Sequence, residues 1–259
     1  MTNIDPVQYN REKWDAIAES SDRFFKAVTR DELDAVRGGN WSINVTAQKP
    51  VPRDWLEPVA GKRVLCLAGA GGKQAPILAA LGAKVTVFDI SERQLQRDRE
   101  IAEREGLAIK IASGDMSDLS QFESCSFDLI VNPCSVCYCP KLQPIWNEAF
   151  RVLTKGGRLV SGLINPVHYI FDEREKDRGN LIVRHKIPYS DLDLDDVERE
   201  ETMGEERPID FGHSLTEMIG GVMAAGFQLS GFYEDAWGGS DKLSKYIDTF
   251  FALLATKPV

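Results

Sequence analysis

Residues 62–91 constrain this chain more than any other stretch. Val64, Leu65 and Leu67 form an apolar run of strand length, and Gly69, Gly71 and Gly72 follow at once. Residues 75–81 read as a short apolar helix ended by Gly82. Val85, Val87 and Phe88 read as a second strand that stops at Asp89. Strand, glycine turn, helix, strand and acid make one βαβ unit. The glycines let backbone approach a ligand closely, and the helix N-terminus presents unpaired N–H groups. A carboxylate at the strand tip can accept hydrogen bonds from vicinal ribose hydroxyls. Asp89 therefore predicts a nucleoside-containing cofactor.

The phosphate motifs narrow the choice. A dinucleotide fingerprint needs G-x-G-x-x-G, and Gln74 stands where the third glycine belongs. A P-loop needs G-x-x-x-x-G-K-[ST]. Here Gln74 follows Gly72-Lys73, and Leu67 occupies the first glycine position. A ribose acid without a phosphate cradle points to S-adenosylmethionine. A nicotinamide oxidoreductase rests on fold analogy alone, and Gln74 counts against it.

Alternating strand and helix signals continue downstream. Ser91 and Gln94 form a capping box for a helix that Gly106 stops. Residues 108–112, 126–133 and 158–164 read as the third, fourth and fifth strands, with a helix over 142–153. Residues 227–233 and 249–256 read as two more strands on a short link, which suits an antiparallel pair. The predicted fold is α/β: a doubly wound, mostly parallel seven-stranded sheet with an antiparallel last strand.

Three segments flank or interrupt this core. Residues 1–61 read as a helical cap, with Trp14, Ile17, Phe24, Phe25 and Val28 at helical spacing. These aromatics pack a core, or alternatively Tyr9 or Trp14 forms a lid. Gly38-Gly39-Asn40 breaks the helix, and prolines 50, 52 and 58 mark an extended lead-in. Residues 62–170 form the cofactor-binding core and 207–259 its C-terminal part. Between them, residues 171–206 carry thirteen acidic against six basic residues. This insertion is a solvated surface or a cap over the substrate, and residues 181–187 could form a strand within it.

Charge and composition exclude some functions. The net charge is −9, a poor match for nucleic acid or an anionic membrane. No apolar run approaches membrane-spanning length, and the N-terminus lacks a signal core. Five cysteines in an ordinary soluble composition suggest free thiols in a reducing cytoplasm. The sequence carries no signal for an oligomeric state.

With these motifs in order, the chain resembles the class I S-adenosylmethionine-dependent methyltransferases, in the branch acting mainly on small molecules. Four features carry the resemblance: residues 64–72 with Asp89; Gly114-Asp115-Met116; Phe127-Asp128-Leu129-Ile130; and Arg151-Val152-Leu153-Thr154-Lys155-Gly156-Gly157. The resemblance implies S-adenosyl-L-methionine as cofactor and a small-molecule acceptor. By it, Ala68, Gly69, Ala70 and Gly71 line the methionine end, and Asp89 with Ile90 holds the ribose. Gly114, Asp115 and Met116 meet the adenine, and Asn132 and Pro133 flank the sulfonium. The family usually has an acid where Cys66 stands and glycines at positions 68 and 70. Ala68 and Ala70 add Cβ atoms that disfavour positive φ. Those departures keep alive a non-catalytic protein that binds S-adenosylmethionine or S-adenosylhomocysteine.

Two further groups invite chemistry. Cys134, Cys137 and Cys139 cluster after the fourth strand, but zinc wants four ligands, so no metal is expected. His213, just outside a helix opened by a Ser214–Glu217 capping box, is the expected base or acceptor-orienting residue. His168 after the fifth strand is its rival, since both fall on the rim beyond the strand carboxyl ends. The alternative for His213 is a backbone hydrogen bond at the helix entrance.

Overall fold

Seven strands form the central sheet of the computed structural model, which describes residues 4–20, 27–195, 197–199, 207–239 and 241–259. They are β1 (Arg63–Leu67), β2 (Lys84–Asp89), β3 (Ile109–Ser113), β4 (Phe127–Asn132), β5 (Leu153–Ile164), β8 (Gln228–Asp235) and β9 (Phe250–Thr256). Two short strands, β6 (Tyr189–Ser190) and β7 (Phe211–Gly212), pair separately. The sheet order is β3-β2-β1-β4-β5-β9-β8. The first five strands pair in parallel, and β9 runs antiparallel to both neighbours. The doubly wound sheet with an antiparallel last strand is therefore as read from the sequence.

Both faces of the sheet are covered, which is why its strands are nearly all apolar. Side chains alternate between the two sides. Val64, Cys66, Val85, Val87 and Val131 join one core with Trp41, Ile43, Trp55, Leu78 and Leu95. Leu65, Leu67, Phe88 and Ile130 join another with Ile145, Trp146, Met218 and Val222. The Arg151 motif anchors this second side. Its guanidinium donates to the Phe122 and Leu119 carbonyls at 2.8 Å each and pairs with Glu148.

The N-terminal region supplies α1 (Pro6–Ser20), α2 (Arg30–Arg37) and α3 (Arg53–Leu56), and α4 (Gln74–Ala80) follows the glycine turn. Phe24 and Phe25 lie outside the described residues. Between α2 and α3 the chain crosses the sheet as a strap. A Cβ on Gly162 of β5 would stand 1.8 Å from the Val45 carbonyl oxygen, so glycine is what allows the strap so close.

The structure corrects several local readings. β5 begins at Leu153, not at 158, because Gly156 turns at positive φ while Gly156 and Gly157 stay bonded to Lys257. Residues 181–187 form no strand beyond one bridge from Val183 to Phe171. Ile182 and Val183 are exposed, so no apolar face exists to drive pairing. Ser91 caps α5 (Glu92–Glu105) by accepting from the Gln94 N–H, but the Gln94 side chain does not reach back. Only half of that capping box forms. The Ser214–Glu217 box forms in both directions, and opens a π-turn (Thr216–Gly220) that runs into the helical turn Gly221–Ala224.

Candidate active site

The strand order reverses between β1 and β4, and a crevice opens beyond their carboxyl ends, as expected for an open α/β sheet. A cavity of about 730 Å³ fills it. Ala68, Gly69, Ala70, Asp89 and Ile90 line one end, continuing to Gly114, Asp115 and Met116. Pro133 and Cys134 follow in the loop after β4, Trp237 and Phe250 lie on the β8–β9 side, and Trp41 and residues 43–47 of the strap line the cavity as well. α1 and the loop after β4 close the roof with Trp14 and Tyr138, whose rings meet edge-on at 4.9 Å.

The floor is built from backbone held at specific angles. Ala68 adopts φ 48, and Gly71 and Gly72 adopt φ 110 and 78. The left-handed steps thus fall mainly on glycines, and Ala70 escapes them. Ala68 does not, and its Cβ strains that position. A Cβ on Gly69 would come within 3.1 Å of the Pro133 ring, so the turn and the post-β4 loop form one narrow cradle. A Cβ on Gly114 would stand 2.6 Å from Phe88. That contact seats the β3 loop against the β2 tip, where the Gly114 N–H donates to the Asp89 carbonyl.

Asp89 shapes the turn as well as facing the cavity. Its Oδ2 accepts from the Ala70 N–H at 3.1 Å and its Oδ1 from the Ser91 N–H at 3.0 Å. Burial raises its pKa, and the N–H groups of Ser91, Ala70 and Ile90 pull it back. Each carboxylate oxygen keeps a second lone pair for a ligand hydroxyl. A second carboxylate, unforeseen in the sequence, lies beneath the turn. Asp98 on α5 is fully buried, and its Oδ2 accepts from Gly71 at 2.8 Å and Gly72 at 3.2 Å. Burial raises it to about 7. Its only sequence signal was a charge on the apolar face of an amphipathic helix.

Not every expected residue reaches the wall. Gly71 sits behind it, spent on Asp98. Asn132 is fully buried; its amide donates to the Leu67 carbonyl and Ser135 Oγ, and its oxygen accepts from Ser161. It ties β1, β4 and β5 together under the cradle. His213 is buried away from the cavity, 2.9 Å from the Cys139 carbonyl. A carbonyl only accepts, so Nε2 carries the proton, and burial lowers the ring's pKa. His168 borders a separate void of about 30 Å³, where burial and Lys176 lower it to about 4. None of the described residues of 171–206 lines the main cavity; the strap and α1 cover it instead. Of the clustered cysteines, Cys134 and Cys139 reach the wall and Cys137 is buried behind it. Burial holds all three thiols protonated.

The architecture has relatives. Residues 65–161 match the family described as methyltransferase domain. An uncharacterized methyltransferase of Bacillus subtilis is 44% identical over 252 residues, spanning 97% of this chain and 98% of its own length. The chain belongs to the S-adenosylmethionine-dependent methyltransferases. This methyltransferase is also 34% identical over 132 residues to a ubiquinone/menaquinone biosynthesis C-methyltransferase of Cereibacter sphaeroides. That match covers 46% of the chain and 50% of the relative. An S-adenosylmethionine-dependent methyltransferase from Mesorhizobium loti superposes with a TM-score of 0.61 at 17% identity, over 79% of this chain and 94% of that one. The methyltransferase thus shares that fold.

Proposed function

We propose that this methyltransferase binds S-adenosylmethionine along Ala68–Ala70, Asp89, Ile90 and Gly114–Met116, and transfers the methyl group to a small, apolar acceptor. One observation carries the reading: the expected cofactor positions and the side chains of Trp41, Trp237 and Phe250 line a single cavity. The residues fit the cofactor. A Cβ on Gly69 would press on the Pro133 ring, and glycine there leaves the backbone open to close contact with a ligand. Asp89 has lone pairs left for a ribose, and the glycine turn matches neither phosphate-binding motif.

The bound cofactor's sulfonium supplies a methyl group already activated for transfer. The chain's task is therefore alignment and exclusion of water. Pro133 and Cys134 stand where the cofactor end passes into the chamber of Trp41, Val45, Trp237 and Phe250. Those walls suit a flat apolar body. The nearby thiol of Cys134 and phenol of Tyr138 are held protonated by burial. Neither is a ready base near neutral pH. The name of the partial relative, a quinone-pathway C-methyltransferase, agrees with an apolar acceptor.

The test has two parts. Calorimetry with S-adenosylhomocysteine should show binding by the wild type. Binding should weaken on the order of tenfold to a hundredfold in Asp89→Ala, since hydrogen bonds to a carboxylate are the strong kind. A screen of apolar metabolites should then reveal transfer from methyl-labelled cofactor. Equal affinity of folded Asp89→Ala would sink the cofactor assignment. Transfer only to charged, polar acceptors would sink the acceptor class.

A further inference from the structure

The central sheet ends in β3 on one side and β8 on the other, and the two edges are built differently. An edge strand presents a row of unpaired N–H and C=O groups, which proteins blunt with short strands, lysines or prolines. β3 is five residues long and carries exposed Lys110. β8 runs for eight residues, Gln228–Asp235, without a lysine, arginine or proline. It exposes two apolar side chains instead, Leu229 at 40% and Phe232 at 55%.

Residues three apart on a regular strand point to opposite faces. A bulge at Ser230 adds one residue to β8, so Leu229 lies opposite Ala255 and Phe232 opposite Leu253. Both side chains therefore take the same face, where Phe232 stacks on Phe251 at 5.5 Å. Two such strands running antiparallel about a two-fold axis complement each other. With Phe232 opposite Leu229 of the second copy, the apolar pair forms twice by symmetry. Charge favours the same arrangement. Gln228 sits beside Thr256 on β9, one residue from Lys257. In this register Tyr233 faces Gln228 of the second copy, so Glu234 approaches that copy's Lys257 end. The two Glu234 side chains stay at opposite ends of the joint, whereas a parallel pairing would bring them together. We propose that the β8 edge is an interface with a second copy of this chain, paired antiparallel with Phe232 against Leu229.

Sedimentation equilibrium of the full chain tests this, with wild type, Leu229→Lys, Phe232→Glu and the variant carrying both changes. Circular dichroism and the melting temperature establish that each is folded. Wild type should dimerise, with a dimer fraction that rises between about 1 and about 100 µM, the range of a modest interface. Each single change sets a charge against an apolar side chain twice per dimer. It should raise the dimer dissociation constant at least tenfold. The combined variant sets lysine against glutamate of the other copy at both contacts. It should dimerise about fivefold more tightly than the weaker single variant. Changes that merely disturb β8 within one chain would lower the melting temperature cumulatively and show no such recovery. A wild type that stays monomeric across this range overturns the proposal, and the Ser230 bulge then guards the edge. A dimer that both single variants leave intact, or a combined variant no tighter than the singles, overturns it as well.

Discussion

At Asp98, burial and hydrogen bonding oppose each other within one side chain. Two N–H donors favour the carboxylate, and desolvation and the nearby Asp89 favour the acid, leaving it at about 7. An unfolded aspartate titrates near about 3.9. Between those values the folded chain holds a proton that the unfolded chain has lost. The resulting stability is full below about pH 4 and fades as the pH rises through about 7. Asp98→Asn keeps an oxygen for Gly71 and Gly72 but cannot ionise. Urea titrations should therefore show wild type losing stability relative to Asp98→Asn from pH 4.5 to 7.5. The loss should be on the order of 1.4 kcal/mol per pKa unit of displacement. Parallel pH profiles for the two proteins would refute a buried titration. The histidines show the same logic with a different outcome. Burial keeps His213 and His168 neutral, and His213 spends its proton on the Cys139 carbonyl, tying the capped helix to the post-β4 loop.

Among the elements, the strap between α2 and α3 decides the shape of the chamber. Two contacts pin it: Val45 accepts from the Cys134 N–H at its middle, and nearer α3 Gln48 and Lys49 donate to Asp235 Oδ2 at 2.8 Å. Gly162 sits beneath its middle. Gly162→Ala forces a methyl group into the Val45 carbonyl, a contact that backbone has to move to relieve. Overpacking of this kind costs about 1–3 kcal/mol, and the displaced strap should also slow acceptor turnover. A Gly162→Ala protein with the wild-type urea midpoint would show that the strap yields freely. The insertion makes a contrasting element. Its described part gathers His168, Tyr169, Tyr189 and Arg184 about Asp172 and Glu198, apart from the main cavity.

Across the whole molecule, the switch between β1 and β4 places the two ends of the cavity under different parts of the chain. Motif residues at the carboxyl ends of β1, β2 and β3 hold one end. The N-terminal strap and the β8–β9 connection, through Trp237 and Phe250, enclose the other. The two functions should therefore separate by mutation. Trp237→Ala should lower kcat/KM for the acceptor at least tenfold, about 1.4 kcal/mol of transition-state stabilisation, and leave S-adenosylhomocysteine affinity within about twofold. Parallel losses in both would mean that the chamber and the cofactor end are one site. None of the described helices is long and apolar enough to cross a membrane.

Local signals alone determined the strands, the mostly parallel doubly wound sheet with its antiparallel last strand, and the Asp89 tip. Apolar runs, glycine turns and caps act between residues close in sequence, so the βαβ units are written in the chain itself. The other positions lining that part of the cavity came from the resemblance to the methyltransferases, and each belongs to a strand end or its adjoining turn. Tertiary structure alone decided the rest. Asp98 reaches Gly71 across 27 residues, and Val45 meets Cys134 across the sheet. Such pairings depend on which helix face packs under which turn, and periodicity leaves that choice open. The withdrawal of His213 and His168 from the wall has the same origin. Lying beyond a strand's carboxyl end puts a residue on the rim, and only packing settles whether its side chain faces the cavity or a carbonyl behind it.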